Sequence, residues 1–293
     1  MKSLWMIVVL VAIALPACCD GTATLIRWPG WECSSTEDLS LGHKHTSFPL
    51  THLFDNNQAT AWVFSGTGKH AEYGSTGFGL HLSREDGRKP CTLDSIWVMN
   101  GYNKSRKLFF GNNRITELKL YVDWKFVKTV ALTDSMGWHK ISIARQPIKD
   151  IALRFTKFQK GRDNDVCVSE IALYDRGKRI DLKMPQAVEF TRGDTDCGCG
   201  QEFGVINRSG RQLARNTSEG RPSWSPKGTR IAGFYSVGKA SHLWVVDAHK
   251  ARVIYDRRCP VQYPFDPAWV GEDTIRVKDT VGSTGKLVRV SKR

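Results

Sequence analysis

Asp55-Asn-Asn-Gln-Ala-Thr-Ala-Trp62 is the stretch on which the reading of the fold turns. It crowds a carboxylate, amides and a hydroxyl into six residues and closes on an aromatic ring. Such a segment is a loop, because Asn and Asp side chains compete with regular backbone pairing and favour turns. Three further pieces follow in order: Asn100-Gly-Tyr-Asn-Lys104, Asn112-Asn-Arg114 and Ser169-Glu-Ile171. Between them lie short runs that alternate polar and apolar residues, among them 77–82, 93–99, 115–122, 125–132, 138–143, 150–155 and 169–174. Alternation with period two places one side of each run on a core. No long apolar face of helical period interrupts them. The chain is therefore expected to be all-β, with short strands packed as a sandwich. Val122-Asp-Trp-Lys125 sits between two runs and reads as a hairpin turn.

The four pieces, in this order, resemble a discoidin-like (galactose-binding-like) jelly-roll. Among its branches the pattern is most similar to the translocation module of secreted bacterial NAD glycohydrolases. That module binds and does not cleave NAD, and the catalytic domain of those enzymes is not seen in this chain. The resemblance implies a structural Ca²⁺ in the first loop, held by Asp55, Asn57, Thr60 and Glu170; hard oxygens in irregular geometry suit that ion. Asn56 stands where the family usually has Gly. The alternative for the same residues is structural: Asp55 caps a turn and Glu170 pairs with an arginine. Trp62 reads as core. The resemblance also places ligand contacts on Asn100, Tyr102, Lys104, Phe109, Asn113 and Arg114, since amides, cations and rings are what a sugar site needs. Here too a structural role is open, with Asn113 and Arg114 fastening the loop. Asp163 and Asp165, in Lys160-Gly-Arg-Asp-Asn-Asp165, could join the ion site or a ligand, or brace their own loop through side-chain-to-backbone bonds.

The first residues read as an export signal. Lys2 supplies a charge, and Leu4 to Leu15 form an apolar core too short to span a bilayer. Leu15-Pro-Ala-Cys18 looks like a lipoprotein cleavage site with Cys18 lipidated; simple cleavage after Ala17 is the other reading. The expected location is periplasmic or outer-surface, lipid-anchored in the first case. Net formal charge is +14, which favours polyanionic surfaces. Export speaks against nucleic acid as partner. Eight cysteines in an oxidising compartment suggest disulfides. Six remain outside the signal, and their pairing is open; Cys91 with Cys167 is favoured because both fall in the sandwich. His43-Lys-His45 and Cys197-Gly-Cys199 lack the common zinc spacing.

Organisation follows from these signals. Residues 1–19 are the signal, 20–47 an irregular lead-in, 48–182 the sandwich and 183–202 a turn-rich linker. From 203 to 293 a weak repeat appears. Arg221-Pro-Ser-Trp-Ser-Pro-Lys-Gly-Thr-Arg-Ile-Ala232 is echoed by Asp266-Pro-Ala-Trp-Val-Gly-Glu-Asp-Thr-Ile-Arg-Val277. The pattern resembles TolB- and WD-type propeller blades, implying a partial β-propeller-like region. No Gly-x-Ser-x-Gly, His-Glu-x-x-His or phosphate-loop motif occurs. The function expected is a non-catalytic binding protein for a glycan or cell-surface polymer, with no organic cofactor. An envelope protein–protein assembly role is the alternative, and an unrecognised hydrolase the remaining one.

Overall fold

The computed structural model describes residues 22–35, 48–65, 79–85, 87–194, 202–216, 221–260, 264, 267–278 and 284–290. The signal region with Cys18, His43, His45, Cys197 and Cys199 lies outside them. The described chain is built almost wholly of strands. The first are β1 (Thr22–Trp28) and β2 (Trp31–Ser35), then a 3-10 turn (Leu50–Phe54) and β3 (Trp62–Ser65). There follow β4 (Gly79–Arg84), β5 (Cys91–Asn100), a single short helix α1 (Arg106–Gly111), β6 (Arg114–Val122) and β7 (Lys125–Ala131). β8 (Trp138–Ile148), β9 (Asp150–Gln159), β10 (Asp165–Asp175) and β11 (Lys178–Arg179) complete the sandwich. No described helix is long and apolar enough to cross a membrane.

Two sheets enclose one core. The larger has nine strands, and its sandwich half runs β1-β2-β4-β9-β6-β7; the smaller runs β11-β10-β5-β8, with β3 also pairing β10. The expected hairpin is present: β6 and β7 join through Asp123 and Trp124, both at positive φ (45° and 64°), the pairing that suits a two-residue turn. The Asp123 carboxylate accepts the backbone N–H groups of Lys149 and Asp150, fixing the tip against the next connection. Inside, Trp62 stacks on Phe64 at 4.6 Å and Phe64 on Phe155 at 5.7 Å. Trp62 is a core residue, as read from the sequence. β10 is buried from Val166 to Leu173 because both its faces are covered. Val166, Val168, Ile171 and Leu173 enter the main core, whereas Cys167 packs outward with Ala61, Val63, Phe48 and Tyr102.

Three expectations change. The lead-in is not irregular: Trp28-Pro-Gly-Trp31 turns β1 into β2, and this hairpin sits in the middle of the large sheet. The supposed linker contains β12 (Ala187–Asp194), which pairs with β1 and continues into β13 (Glu202–Asn207) and β14 (Gln212–Asn216). The sheet thus runs without a break past the boundary drawn at 182. Third, Cys91 and Cys167 are free thiols, as is Cys33. The register explains why. Ser95 faces Tyr174 and Met99 faces Glu170, so Cys91 and Cys167 lie at opposite ends of the sheet. Strand rise puts them roughly 30 Å or more apart, and a disulfide bridges only about 7 Å between Cα atoms.

Beyond the sandwich come two meanders in sequence order. The first is β15 (Ser223–Trp224), β16 (Arg230–Val237), β17 (Ala240–Asp247) and β18 (Arg252–Arg258). The second is β19 (Ala268–Gly271), β20 (Thr274–Val277) and β21 (Lys286–Arg289). The sequence repeat has a structural counterpart: Trp224 faces Ile231 across β15–β16, and Trp269 faces Ile275 across β19–β20. The sheets stack. Ile231, Trp244 and Val246 pack on Ala187 and Val205 of the large sheet, while Phe234, Leu243 and Val245 pack on Ile275, Val277 and Val290. The Glu272 carboxylate ties the two repeat turns together, accepting from the Ser225 hydroxyl (2.7 Å), the Lys227 N–H (3.1 Å) and the Thr229 hydroxyl. Gly233 lies under the Trp244 ring on the neighbouring strand, where an added Cβ would come within 2.2 Å of it. Gly233→Ala is expected to destabilise the fold by about 1–3 kcal/mol, as overpacking does; a urea midpoint unchanged from wild type would refute this contact.

Candidate functional site

The loop after the 3-10 turn is built around Asp55. Asn56 takes φ 61°, a conformation Gly adopts freely and Asn tolerates, which accounts for an Asn at a family glycine position. The Asp55 carboxylate then accepts the Asn57 N–H at 2.9 Å and the Thr60 hydroxyl at 2.9 and 3.1 Å. Glu170 enters from β10: its Oε1 accepts the Asn57 N–H at 2.7 Å, and its Oε2 lies 3.4 Å from an Arg179 nitrogen. So Asp55, Asn57, Thr60 and Glu170 do converge, through both kinds of contact the sequence left open. Burial pushes the Glu170 carboxyl up to about 8, with the neighbouring Asp55 carboxyl adding to the rise. A cation placed beside Glu170 would favour its charged form. The donor set is all hard oxygen, which fits Ca²⁺ and no softer metal. Among the described residues no cluster of three or more His, Cys, Asp and Glu side chains could hold a metal, so Thr60 and backbone carbonyls would have to supply the remaining ligands.

The second loop, 100–114, is fastened from within. Asn100 is fully buried and bonds Ile115 twice, donating from Nδ2 to its carbonyl (2.7 Å) and accepting its N–H (3.0 Å). Gly101 has φ 75°, and a Cβ there would sit 2.6 Å from the Phe109 ring. Asn103, which the sequence did not single out, donates to the Asn100 and Gly101 carbonyls and accepts the Gly137 N–H. Its own N–H donates to the Ser169 hydroxyl, which in turn donates to the Gly101 carbonyl. Ser105 caps α1 by accepting the Leu108 N–H. Arg114, 3 % exposed, donates to both oxygens of Asp134 (2.6 and 3.0 Å) and to the carbonyls of Phe109, Phe110 and Asn112. Asn113 accepts the Gly161 N–H at 2.8 Å and bridges to Val166. Asp163 pairs with Arg162 in that facing loop, and Asp165 heads β10.

The expected ligand residues therefore separate. Asn100 and Arg114 are buried with their polar atoms engaged, Asn113 is buried with its Oδ1 engaged, and Phe109 is wholly buried. They shape the loop from within. Its outer surface carries Tyr102, half-buried against Phe48 at 6.1 Å, and exposed Lys104, Arg106 and Lys107. Phe110, 43 % exposed with the Arg106 guanidinium 5.5 Å above its ring, takes the place assigned to Phe109. Consecutive helical residues face different ways, so one ring of the Phe109-Phe110 pair had to turn inward; the sequence did not say which.

Residues 30–174 match the family model of the NAD glycohydrolase translocation F5/8 type C domain. The chain thus carries a discoidin-like domain, followed by strands outside the matched segment. No curated protein matches the chain. Among solved structures, it is similar to SpGH29 (18% identity, TM-score 0.34), covering 50% of this chain and 27% of that one. It is also similar to the family 32 CBM from C. perfringens NanJ in complex with galactose (14% identity, TM-score 0.37), covering 52% and 99%. A third is the arabinofuranosyltransferase AftD from Mycobacteria (13% identity, TM-score 0.41), covering 74% of this chain and 15% of that one.

Proposed function

We propose that the protein is a non-catalytic exported bacterial binding protein whose discoidin-like module recognises a glycan or another cell-surface polymer. The observation that carries this reading is the 100–114 loop. Its interior is immobilised by Asn100, Asn103 and Arg114, and its exterior presents a phenol, three cations and an open phenyl ring. A rigid support under exposed aromatic and polar groups is what binding loops require. Tyr102 and Phe110 supply apolar faces for sugar rings, and Lys104 and Arg106 donate to hydroxyls. The stacked meanders serve as a propeller-like packing or interaction element. Export, and lipidation of Cys18 as membrane anchor, belong to the same proposal.

The test is a glycan and cell-wall array probed with purified protein. A specific hit that Tyr102→Ala or Phe110→Ala weakens about tenfold or more, without change in melting temperature, supports the loop as the site. A blank array from folded protein overturns it. A second reading, an envelope protein partner, draws on the β6–β7 hairpin, which leaves Trp124 (71 %) exposed at its turn and Phe126 (55 %) exposed on the edge strand β7.

Ca²⁺ held by Asp55, Asn57, Thr60 and Glu170 would brace the first loop and hold Glu170 in its charged form. At a hundredfold excess over its dissociation constant the ion is expected to add about 2.7 kcal/mol of stability. Chelator should remove that gain, and Asp55→Asn should abolish it. Identical melting with Ca²⁺ and chelator would leave Asp55 as a turn cap alone.

A further inference from the structure

A hollow of about 490 Å³ opens where the sandwich meets the chain that leaves it. One wall is Phe54, Asn56, Ile171 and Ala172; the other is the segment from Arg179 to Pro185, closed by Arg208 and His249. The second wall lies beyond the segment that matches the family model, and the volume is in the range of small-ligand sites. Phe54, Ile171, Leu182 and Met184 are the apolar part of its mixed lining. The rim carries Arg179, Lys183, Arg208 and His249 against one carboxylate, Asp181, which accepts the Lys183 N–H at 2.8 Å.

Arg208 is the informative residue. Its Nε donates to the Pro185 carbonyl at 3.1 Å and its Nη2 to the Met184 carbonyl, while its own carbonyl accepts the Thr51 hydroxyl at 2.8 Å. Among the described residues no carboxylate pairs with it. Carbonyls orient a guanidinium without cancelling its charge, so the fork is fixed and still attractive to an anion. Arg179 reaches Glu170 with one nitrogen at 3.4 Å. Lys183 (φ 50°) and Asn56 (φ 61°) both hold left-handed backbone at the rim, and the Asn56 amide is free to bond hydroxyls.

We propose that this hollow binds an anionic sugar unit, carboxylated or sulfated, of an acidic glycan. Arg208, Lys183, Arg179 and His249 take the anion, Asn56 the hydroxyls, and the apolar lining residues the C–H face of the ring. The formal charge of +14 gathers such polyanions at the surface. The proposal rests on the glycan reading but occupies another place: β10 meets the Tyr102 loop at Val168 and lines the hollow at Ile171 and Ala172.

Calorimetric titration of the purified chain with oligogalacturonate, a sulfated oligosaccharide and a neutral oligosaccharide of equal length tests it. Lys183→Asn keeps a residue suited to positive φ, and His249→Ala alters an exposed side chain, so both should fold. The acidic sugars are expected to bind at least about tenfold tighter than the neutral one, and Lys183→Asn with His249→Ala to erase that preference. Whichever acidic sugar binds identifies the anion. Tyr102→Ala should leave the preference intact. Equal binding of acidic and neutral sugars, or an acidic preference lost in Tyr102→Ala and kept in Lys183→Asn, overturns the hollow as the site. The latter result would retain the loop.

Discussion

Arg114→Ala is expected to lower stability by about 2–4 kcal/mol, since it strips the buried Phe109 and Asn112 carbonyls of their donor while the exposed Asp134 carboxylate returns to water. The substitution removes five donated bonds at once. It leaves three carbonyls and the Asp134 carboxylate to find other partners, and each buried acceptor left unpaired costs about 1–3 kcal/mol. Arg114→Lys should recover only part of the loss, since an ammonium cannot reproduce the planar fork. Urea denaturation followed by tryptophan fluorescence reads the effect. The result also decides between the two roles open to Arg114 from sequence. If it braces the loop, sugar affinity per folded molecule in Arg114→Lys stays near that of wild type under conditions where the variant is folded. A loss of affinity with stability within about 1 kcal/mol of wild type would return Arg114 to the ligand.

The second large effect concerns Glu189, on the outward face of β12, where the first meander packs against the large sheet. It is 1 % exposed, and neither of its oxygens accepts a hydrogen bond. Arg27 approaches to only 3.7 Å and gives its shorter bonds to Glu32. The unpartnered Trp224 indole and the Arg221 cation are also near. Burial pushes its carboxyl up to about 7, against the pull of Arg27 and Arg221. In the unfolded chain the group titrates near the ordinary glutamate value, about 4.3. Between these two values the native state binds a proton that the unfolded state has lost, so stability falls as pH rises through this window and levels off above it. The full cost at pH 8 is about 3–4 kcal/mol. Glu189→Gln is expected to recover about 2–3 kcal/mol at pH 8 and roughly nothing at pH 4.5. Parallel stability curves for wild type and variant across that range would show that Arg27 already satisfies the charge.

The parts of the fold that were legible share a physical cause. The β6–β7 hairpin and the 169–174 strand were readable because the turn chemistry and the period-two pattern are local. β1 and β2 were not, because their pairing partners lie far away and Trp28-Pro-Gly-Trp31 reads equally well as an isolated turn. Met184-Pro185 and the Gly- and Cys-rich run after Thr191 masked the alternation of Ala187-Val-Glu-Phe190. At the site, the residue types were right and their orientation was not. An Asn or Arg beside a glycine turn serves a backbone carbonyl as readily as a sugar hydroxyl, and only tertiary contacts decide. Asn103 could have been found from its place two residues after Gly101, where amides commonly bond back to the chain.

The pairing of β1 with β12 sets the order in which the molecule can assemble. Ile26 faces Phe190 in that register, so the ribosome makes the first strand long before the one that covers its edge. Until then β1 holds an open row of backbone groups, the kind of edge that recruits stray strands. Local hairpins such as β6–β7 close quickly, whereas contacts this remote in the chain form slowly. The last step in maturation is then the closing of the large sheet by its own downstream half. A chain cut short after the sandwich would keep its hydrophobic interior yet retain a sticky flank, failing by association more than by unfolding.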